Sequence, residues 1–353
     1  MKLVDELAKR SGPWLGDSGS LNDVVISSRI RLARNLSQFP FLTRADDGQR
    51  RQIYRLLYER IMNTDLGQKV VFVDVDEAPE LDRQVLVERH LISRQHADAE
   101  GSRGVAVGSK ELISLMINEE DHLRIQVLSS GFHLDELWQE IDKIDDRLQE
   151  QLDFAYHEQY GFLTACPTNV GTGIRVSVML HLPALKLAGE LEKVSRAAKN
   201  LRLAIRGLYG EGTEATGDFY QISNQTTLGK TETDLIAEFT LTVIPKIVEY
   251  EKMAREVLLA ERPTALDDKI WRAYGTLENA RTLSTEETLY LLSHLRMGVH
   301  LGRFNTIGIN LINDLFLKTQ PAHLQKLKGM KLDGEQRSVF RAEYVRGRLA
   351  GLN

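Results

Sequence analysis

The chain of 353 residues has a single cysteine, Cys166. One thiol cannot close an intrachain disulfide, and so little cysteine fits a reducing, cytoplasmic setting. Long apolar runs are missing too. No stretch approaches the roughly 20 residues that cross a bilayer, so no membrane association is expected. The opening MKLVDELAKRSGPW is amphipathic and lacks the apolar core of a secretory signal. A basic surplus is also absent: 45 Lys and Arg face 50 Asp and Glu, a formal charge of −5. Bulk electrostatics therefore gives no reason to expect a nucleic-acid partner.

Familiar nucleotide-handling and metal motifs are absent as well. The nearest approach to a Walker A loop is NQTTLGKT (224–231), with Asn224 where the first glycine belongs. GTGIRV (171–176) begins like G-x-G-x-x-G but ends in valine. Neither H-R-D nor D-F-G occurs, which excludes a eukaryotic-type protein kinase. Nine histidines are scattered without H-E-x-x-H or cysteine partners, so no protein metal site is expected.

What is present reads as two parts. Residues 1–253 pattern as mixed α/β (α+β), with a mainly antiparallel sheet flanked by helices. Strand-like runs are VVISSRIRLA (24–33), GVAVG (104–108), LISLMIN (112–118), LRIQVLSSG (123–131), IRVSVMLHL (174–182), LRLAI (201–205) and DFYQISN (218–224). Apolar residues at helical spacing predict helices over 45–63, 79–91 and 134–155, and a long one from Thr231. Residues 254–353 show no alternating pattern. Cap signals recur there instead, at Thr264…Asp267 after Pro263 and at Ser284…Glu287, and predict an all-helical domain.

Four segments combine arginine, glycine and glutamate: SSRIR (27–31), NEEDHLR (118–124), CPTNVGTGIR (166–175) and RGLYGEGTEATG (206–217). Taken singly, Arg29 or Arg124 suits a surface salt bridge, Glu119-Glu120-Asp121 a solvated turn, and Cys166 a small buried hydrophobe. Arginine clusters on a mildly acidic chain suggest a small polyanion held in a pocket.

Taken together, S-S-R-x-R, N-E-E-D-H-x-R, C-P-T-N-x-G-T-G-x-R and R-G-x-x-G-E-x-T-E resemble the phosphagen (ATP:guanido) kinase family over roughly residues 20–250. The resemblance implies a phosphagen-kinase-like catalytic domain over 1–253. It implies ATP as substrate, with Mg²⁺ held by phosphates and water rather than by a protein ligand. Five arginines match phosphate-holding positions: Arg29, Arg31, Arg124, Arg175 and Arg206. The nucleotide-binding set it implies also includes Ser27, Ser28, Ile30, His90, Val176, Ser177, Val178, Met179, Gly207, Leu208, Tyr209, Gly210 and Glu211. Arginine suits this task because its planar fork binds phosphate bidentately and stays charged. The acceptor, a guanidinium, is a poor nucleophile with no free lone pair. Glu120 and Glu211 match the family's two guanidinium-binding glutamates, with Glu211 the expected base. Cys166 matches the cysteine that assists alignment as a thiolate.

Small-molecule phosphagen kinases carry a helical domain ahead of the S-S-R-x-R strand; here some 26 residues precede it. With a helical domain over 254–353, that arrangement resembles the bacterial protein-arginine kinases. In QRSVFRAEYVR (336–346), Arg337, Ser338, Arg341 and Ala342 resemble an R-D-x-x-R-A phosphoarginine-binding motif, with serine in place of aspartate. Arg337 and Arg341 are one helical turn apart and share a face. The resemblance implies protein substrates with exposed arginines, a McsA-type activator, a CtsR-type repressor, the ClpC/ClpP protease and a homodimer, with a role in stress response and protein quality control. Two other functions fit the motifs: a free-guanidino phosphagen kinase, and an inactive phosphoarginine-reading adaptor, against which the complete Glu/Cys/Arg set argues.

Overall fold

The computed structural model describes residues 2–207 and 216–351. The chain opens with α1 (Lys2–Lys9) and a 3-10 turn at Pro13–Leu15, then enters β1 (Val25–Arg34). Helix α2 (Asp47–Asn63), strand β2 (Val70–Asp74) and helices α3 (Glu80–Glu88) and α4 (Arg94–Asp98) lead to the meander β3 (Gly104–Gly108), β4 (Ile113–Ile117) and β5 (Leu123–Ser130). Helix α5 (Leu134–Gln149), the small hairpin β6 (Tyr156–His157) and β7 (Gly161–Phe162), and β8 (Ile174–His181) follow. Next come α6 (Pro183–Leu187), α7 (Leu191–Asn200), β9 (Leu203–Arg206), β10 (Phe219–Asn224), α8 (Glu232–Glu238) and α9 (Ile244–Glu261). Beyond them the described chain is helical: α10 (Pro263–Asn279), α11 (Thr285–His300), α12 (Ile309–Lys318), α13 (Pro321–Lys328) and α14 (Gly334–Ala350).

Eight strands form one antiparallel sheet in the order β2-β3-β4-β5-β1-β8-β10-β9. Side chains alternate across a strand, so register fixes which residues share a face. Ile30, Leu32, Ile125, Val127, Val176, Val178 and Ile222 lie on one face, in an apolar core that also takes Ile53, Leu57 and Ile61 of α2 and Leu137, Ile141 and Ile144 of α5. Among the described residues, the opposite face is covered at two places. At one, Val85, Leu86 and Leu91 around α3 pack on Val105, Val107 and Met116. At the other, Leu289, Leu292 and Phe316 of the C-terminal helices pack with Trp14, Leu128, Met179 and Phe219. The stretch of sheet between these two covers is the floor of the candidate site.

Three local expectations change. Helix α5 ends at Gln149, not at 155. Leu152 still packs in the core, but from extended chain whose backbone bonds to residues 35–37: Ser37 N–H donates to Asp153 O and Ala155 N–H to Asn35 O. The cap of α10 is the backbone of Arg262, with Pro263 in the first turn, and Thr264 lies inside the helix. Ser284 does cap α11 by accepting from Glu287 N–H. The helix from Thr231 is interrupted by a π turn at Phe239–Val243, just before Pro245. Proline has no N–H for the preceding turn and crowds its carbonyl, and the wider turn accommodates both. No helix among the described residues is long and apolar enough to cross a membrane.

Candidate active site

Register alone gathers the arginines. Arg31 of β1 sits opposite Gln126 of β5 and Arg175 of β8, and Arg29 sits opposite Leu128 and Ser177. Arg124 follows two residues before Gln126, and Arg206 of β9 pairs with Gln221 of β10, itself opposite Met179. All five arginines therefore project from the same face, into a cavity of about 660 Å³ that Glu119, Glu120, His90 and Cys166 also line. Crowding shows in their electrostatics. Burial, and then the charges of Arg175, Arg124 and Arg206, lower Arg29 to about 10. Arg31 is driven down in the same way, by burial and by Arg29, Arg124 and Arg175. Its Nε is buried with no hydrogen-bond partner among the described residues. Buried donors without an acceptor are costly, and phosphate oxygens would satisfy them.

Polar side chains hold the arginines in place. Arg29 donates from Nη2 to Gln221 Oε1 (2.7 Å) and from Nε to Ser177 Oγ (3.3 Å). Arg175 Nη2 donates to Ser223 Oγ (3.2 Å). Arg124 pairs with Glu119 (2.7 Å) and Glu120 (3.0 Å). Burial works against its charge, but Glu119, Asp121 and Glu120 outweigh burial and raise its pKa. Burial would likewise raise Glu119, yet Arg124, the Ser93 hydroxyl and the Glu120 N–H hold it below its ordinary value.

The NEEDH run is a bracket built residue by residue. Asn118, at φ +59°, donates to the carbonyls of Arg50 and Ser102. Asp121 Oδ1 accepts from Asn35 Nδ2 (2.6 Å) and from the N–H of Ala165 (2.7 Å), the residue before Cys166. His122 accepts from Leu36 N–H at Nδ1 and meets Pro40 O through Nε2 (2.9 Å). Glu120 alone of the four acidic and imidazole groups is left substantially exposed, at 36%, facing the cavity. Cys166 stands close by, its Sγ 3.0 Å from Thr168 Oγ1. Gly173, at φ +67°, closes this loop against β1: an added Cβ would lie 2.7 Å from Ala33 O.

The structure separates the expected residues into groups. Glu120, Cys166, His90 and the five arginines come together. Ser27, Ser177 and Met179 face the same side, flanking a small cavity with Arg29 and His90. Strand alternation turns the side chains of Ser28, Ile30, Val176 and Val178 to the other face, where Ser28 donates to Gly131 O and the rest are core. Gly207 ends β9's run of described residues, and Leu208, Tyr209, Gly210 and Glu211 lie outside the described residues. Arg337, Ser338, Arg341 and Ala342 are elsewhere, on α14. Arg341 is 2% exposed, and its guanidinium donates to Thr319 O, Leu283 O and Thr285 Oγ1, each at 2.8 Å. Arg337 donates to Leu332 O, and Ser338 to Gly334 O. Sequence reasoning missed Glu119, Gln221 and Ser223 as partners of the arginines, and Gln126 as the donor to His90 O. For Gln126, Gln221 and Ser223 the alternation in LRIQ and DFYQIS carried the signal, since it places them on the arginine face. A separate groove of about 620 Å³ between α7 and α9 is lined chiefly by apolar side chains such as Val194, Tyr250, Met253 and Val257, together with Glu190, Lys193, Glu261 and Arg262.

An antiparallel sheet bearing a cluster of half-buried arginines beside a glutamate and a cysteine describes a class of phosphotransferase. The duplicated taurocyamine kinase of Schistosoma mansoni superposes with a TM-score of 0.61 at 27% identity, over 67% of this chain and 34% of that one. A lombricine kinase superposes at 0.59 with 23% identity, over 71% of each chain, a likeness of fold. The profile of the ATP:guanido phosphotransferase C-terminal catalytic domain matches residues 52–254, and the chain belongs to that family. Residues 263–353 match the C-terminal domain of protein-arginine kinase McsB. The protein-arginine kinases of Halothermothrix orenii and Bacillus cereus are 43% and 42% identical over 352 residues, covering 99% of each chain.

Proposed function

We infer that this chain is an ATP-dependent protein-arginine kinase, transferring the γ-phosphoryl group of ATP to the guanidinium of arginine side chains in proteins. The observation that carries this is the convergence of Arg29, Arg31, Arg124, Arg175 and Arg206 on one sheet face beside Glu120 and Cys166. Phosphoryl transfer has a loose transition state with charge spread over the equatorial oxygens, and fixed cations aimed at that charge lower its barrier. A guanidinium nitrogen attacks the γ-phosphorus as the bond to the bridging oxygen of ADP breaks. The nitrogen's proton passes to a carboxylate, for which we propose Glu211 from its motif, with Glu120 aligning the acceptor and Cys166 supporting it electrostatically. Among the described residues no cluster of three or more His, Cys, Asp or Glu side chains is placed to hold a metal. On the family resemblance, Mg²⁺ would arrive on the phosphates and supply charge neutralisation there.

We further propose residues 1–253 as the catalytic domain and 254–353 as a regulatory helical domain, in a cytoplasmic dimer. A McsA-type activator, a CtsR-type repressor and ClpC/ClpP are proposed partners on the family resemblance. The decisive experiment incubates the protein with ATP and an arginine-rich protein, in parallel with free L-arginine. Expected is label on protein that is lost in hot acid and survives base, mapped to arginine by mass spectrometry under non-acidic conditions. Acid-stable label would put the acceptor at a hydroxyl and overturn the inference. Label on free arginine alone would make the chain a small-molecule kinase.

A further inference from the structure

Three consecutive residues join the C-terminal helices to the arginine cavity. Helix α13 has no side-chain cap of its own, since Gln320 at its start makes none. The cap comes from Glu88, 234 residues upstream. Glu88 Oε1 accepts from Ala322 N–H (2.8 Å), and Oε2 accepts from His323 N–H (3.0 Å) and meets His323 Nδ1 at 2.6 Å. The next residue, Arg89, is wholly buried: it pairs with Glu111 (2.6 Å) and donates to the carbonyls of Arg10 and Ser11. His90 comes after it, at φ +57°, a conformation held by its surroundings rather than favoured by its own backbone. Its ring meets Trp14 edge-on at 4.5 Å, and its carbonyl accepts from Gln126, whose strand carries Arg124.

Both sides of this seat rest on C-terminal helices. Glu88 is bonded to α13. The carbonyl of Leu15, next to Trp14, accepts from Asn313 of α12 (2.7 Å). Arg341 of α14 donates to Thr319 O at the entry to α13. A continuous path of bonded groups thus runs from α14 through residues 319–323 and Glu88 to His90 in the cavity wall.

We propose that Glu88 is a positioning residue: by tying His90 to the start of α13, it makes the cavity's affinity for ATP depend on the C-terminal helices. This rests on the inference that the arginine cavity binds ATP. Glu88 touches no substrate; it acts through His90. A tie of this kind couples two regions in a way that binding reads out, typically by fivefold or more.

The test uses the full chain with Glu88→Gln, His323→Ala and His323→Asn, Arg29→Ala serving as a reference for direct loss of phosphate contact. ATP dissociation constants come from calorimetry, with KM and kcat for protein phosphorylation and melting temperatures alongside. Expected for Glu88→Gln and His323→Ala is a rise of at least about fivefold in both Kd and KM for ATP, with kcat at saturating ATP close to the parent's. His323→Asn keeps a donor near the Nδ1 position and should restore most of the affinity. Unchanged ATP affinity in folded His323→Ala or Glu88→Gln, with only the melting temperature lowered, overturns the proposal by making the tie purely structural. Should Glu88→Gln not fold, His323→Ala, which leaves the backbone caps in place, decides alone. Failure of the parent itself to bind ATP overturns the kinase inference and this one with it.

Discussion

Residue parity along β1 sorts three arginines into two occupations. Arg29 and Arg31 face the cavity, whereas Arg34 turns the other way, pairs with Asp145 of α5 at 2.7 Å and stacks on Phe162. Removing Arg34 leaves a buried carboxylate without its partner, a loss of about 3–5 kcal/mol. Arg34→Ala should therefore lower the melting temperature sharply, while the folded fraction keeps its specific activity. Arg175→Ala and Arg206→Ala should do the reverse, costing roughly a hundredfold in turnover, about 3 kcal/mol of barrier, with a small change in melting. Equal losses of fold in all three variants would remove the distinction. Glu120→Gln keeps its size and loses its charge, and turnover should fall at least about a hundredfold with ATP binding retained. Near-parental rates would take Glu120 out of the mechanism.

At the level of elements, periodicity revealed the helices and strands that bury one face, and the motifs picked out the arginines, Glu120 and Cys166 that the fold gathers around one cavity. What stayed illegible depended on partners distant in sequence. Leu152 fits α5's stripe by spacing, but residues 153–155 bond to β1's exit, so the helix stops short. Arg337 and Arg341 share a face as their spacing requires, yet only the fold shows that Arg341 points inward. Three acceptors from α11's start, α12's end and the preceding loop surround it. Arg341→Ala leaves two buried carbonyls unpaired and should cost about 3 kcal/mol or more. Arg337→Ala, half-exposed with one carbonyl contact, should cost far less. Urea unfolding of the two variants checks this, and similar midpoints would contradict the buried role. The capping glutamate of α13 was invisible for the same reason, because it lies in another helix.

The molecule as a whole buries several histidines in neutral form. Burial, aided for His90 by Arg29 and Arg94, lowers His90 to about 3. Burial also takes His96 to about 4 and His300 to about 3, and His181 well down beside Arg296. In the unfolded chain each would take up a proton near pH 6.5. Below that pH the unfolded state binds more protons, so stability present above pH 6.5 is lost as pH falls toward 4. Each fully buried histidine contributes about 1.4 kcal/mol per pH unit across that window, His300 less because it is partly accessible. Glu251, whose carboxyl burial raises, works in the opposite sense. The denaturant midpoint at pH 5.5 should accordingly fall well below that at pH 7.5, and equal midpoints would show that these histidines are charged in the fold.

The long-range cap on α13 also bears on how the enzyme comes into being. A chain emerging from the ribosome has presented all five arginines once Arg206 is out. Glu88 has nothing to hold until residues 322 and 323 follow. Domains that fold as they are made usually complete their local contacts first. Here, on the proposed role of Glu88, the nucleotide pocket waits for a segment synthesised long after its own parts. A message broken before that segment would then yield a protein weak in ATP binding, rather than a kinase released from control.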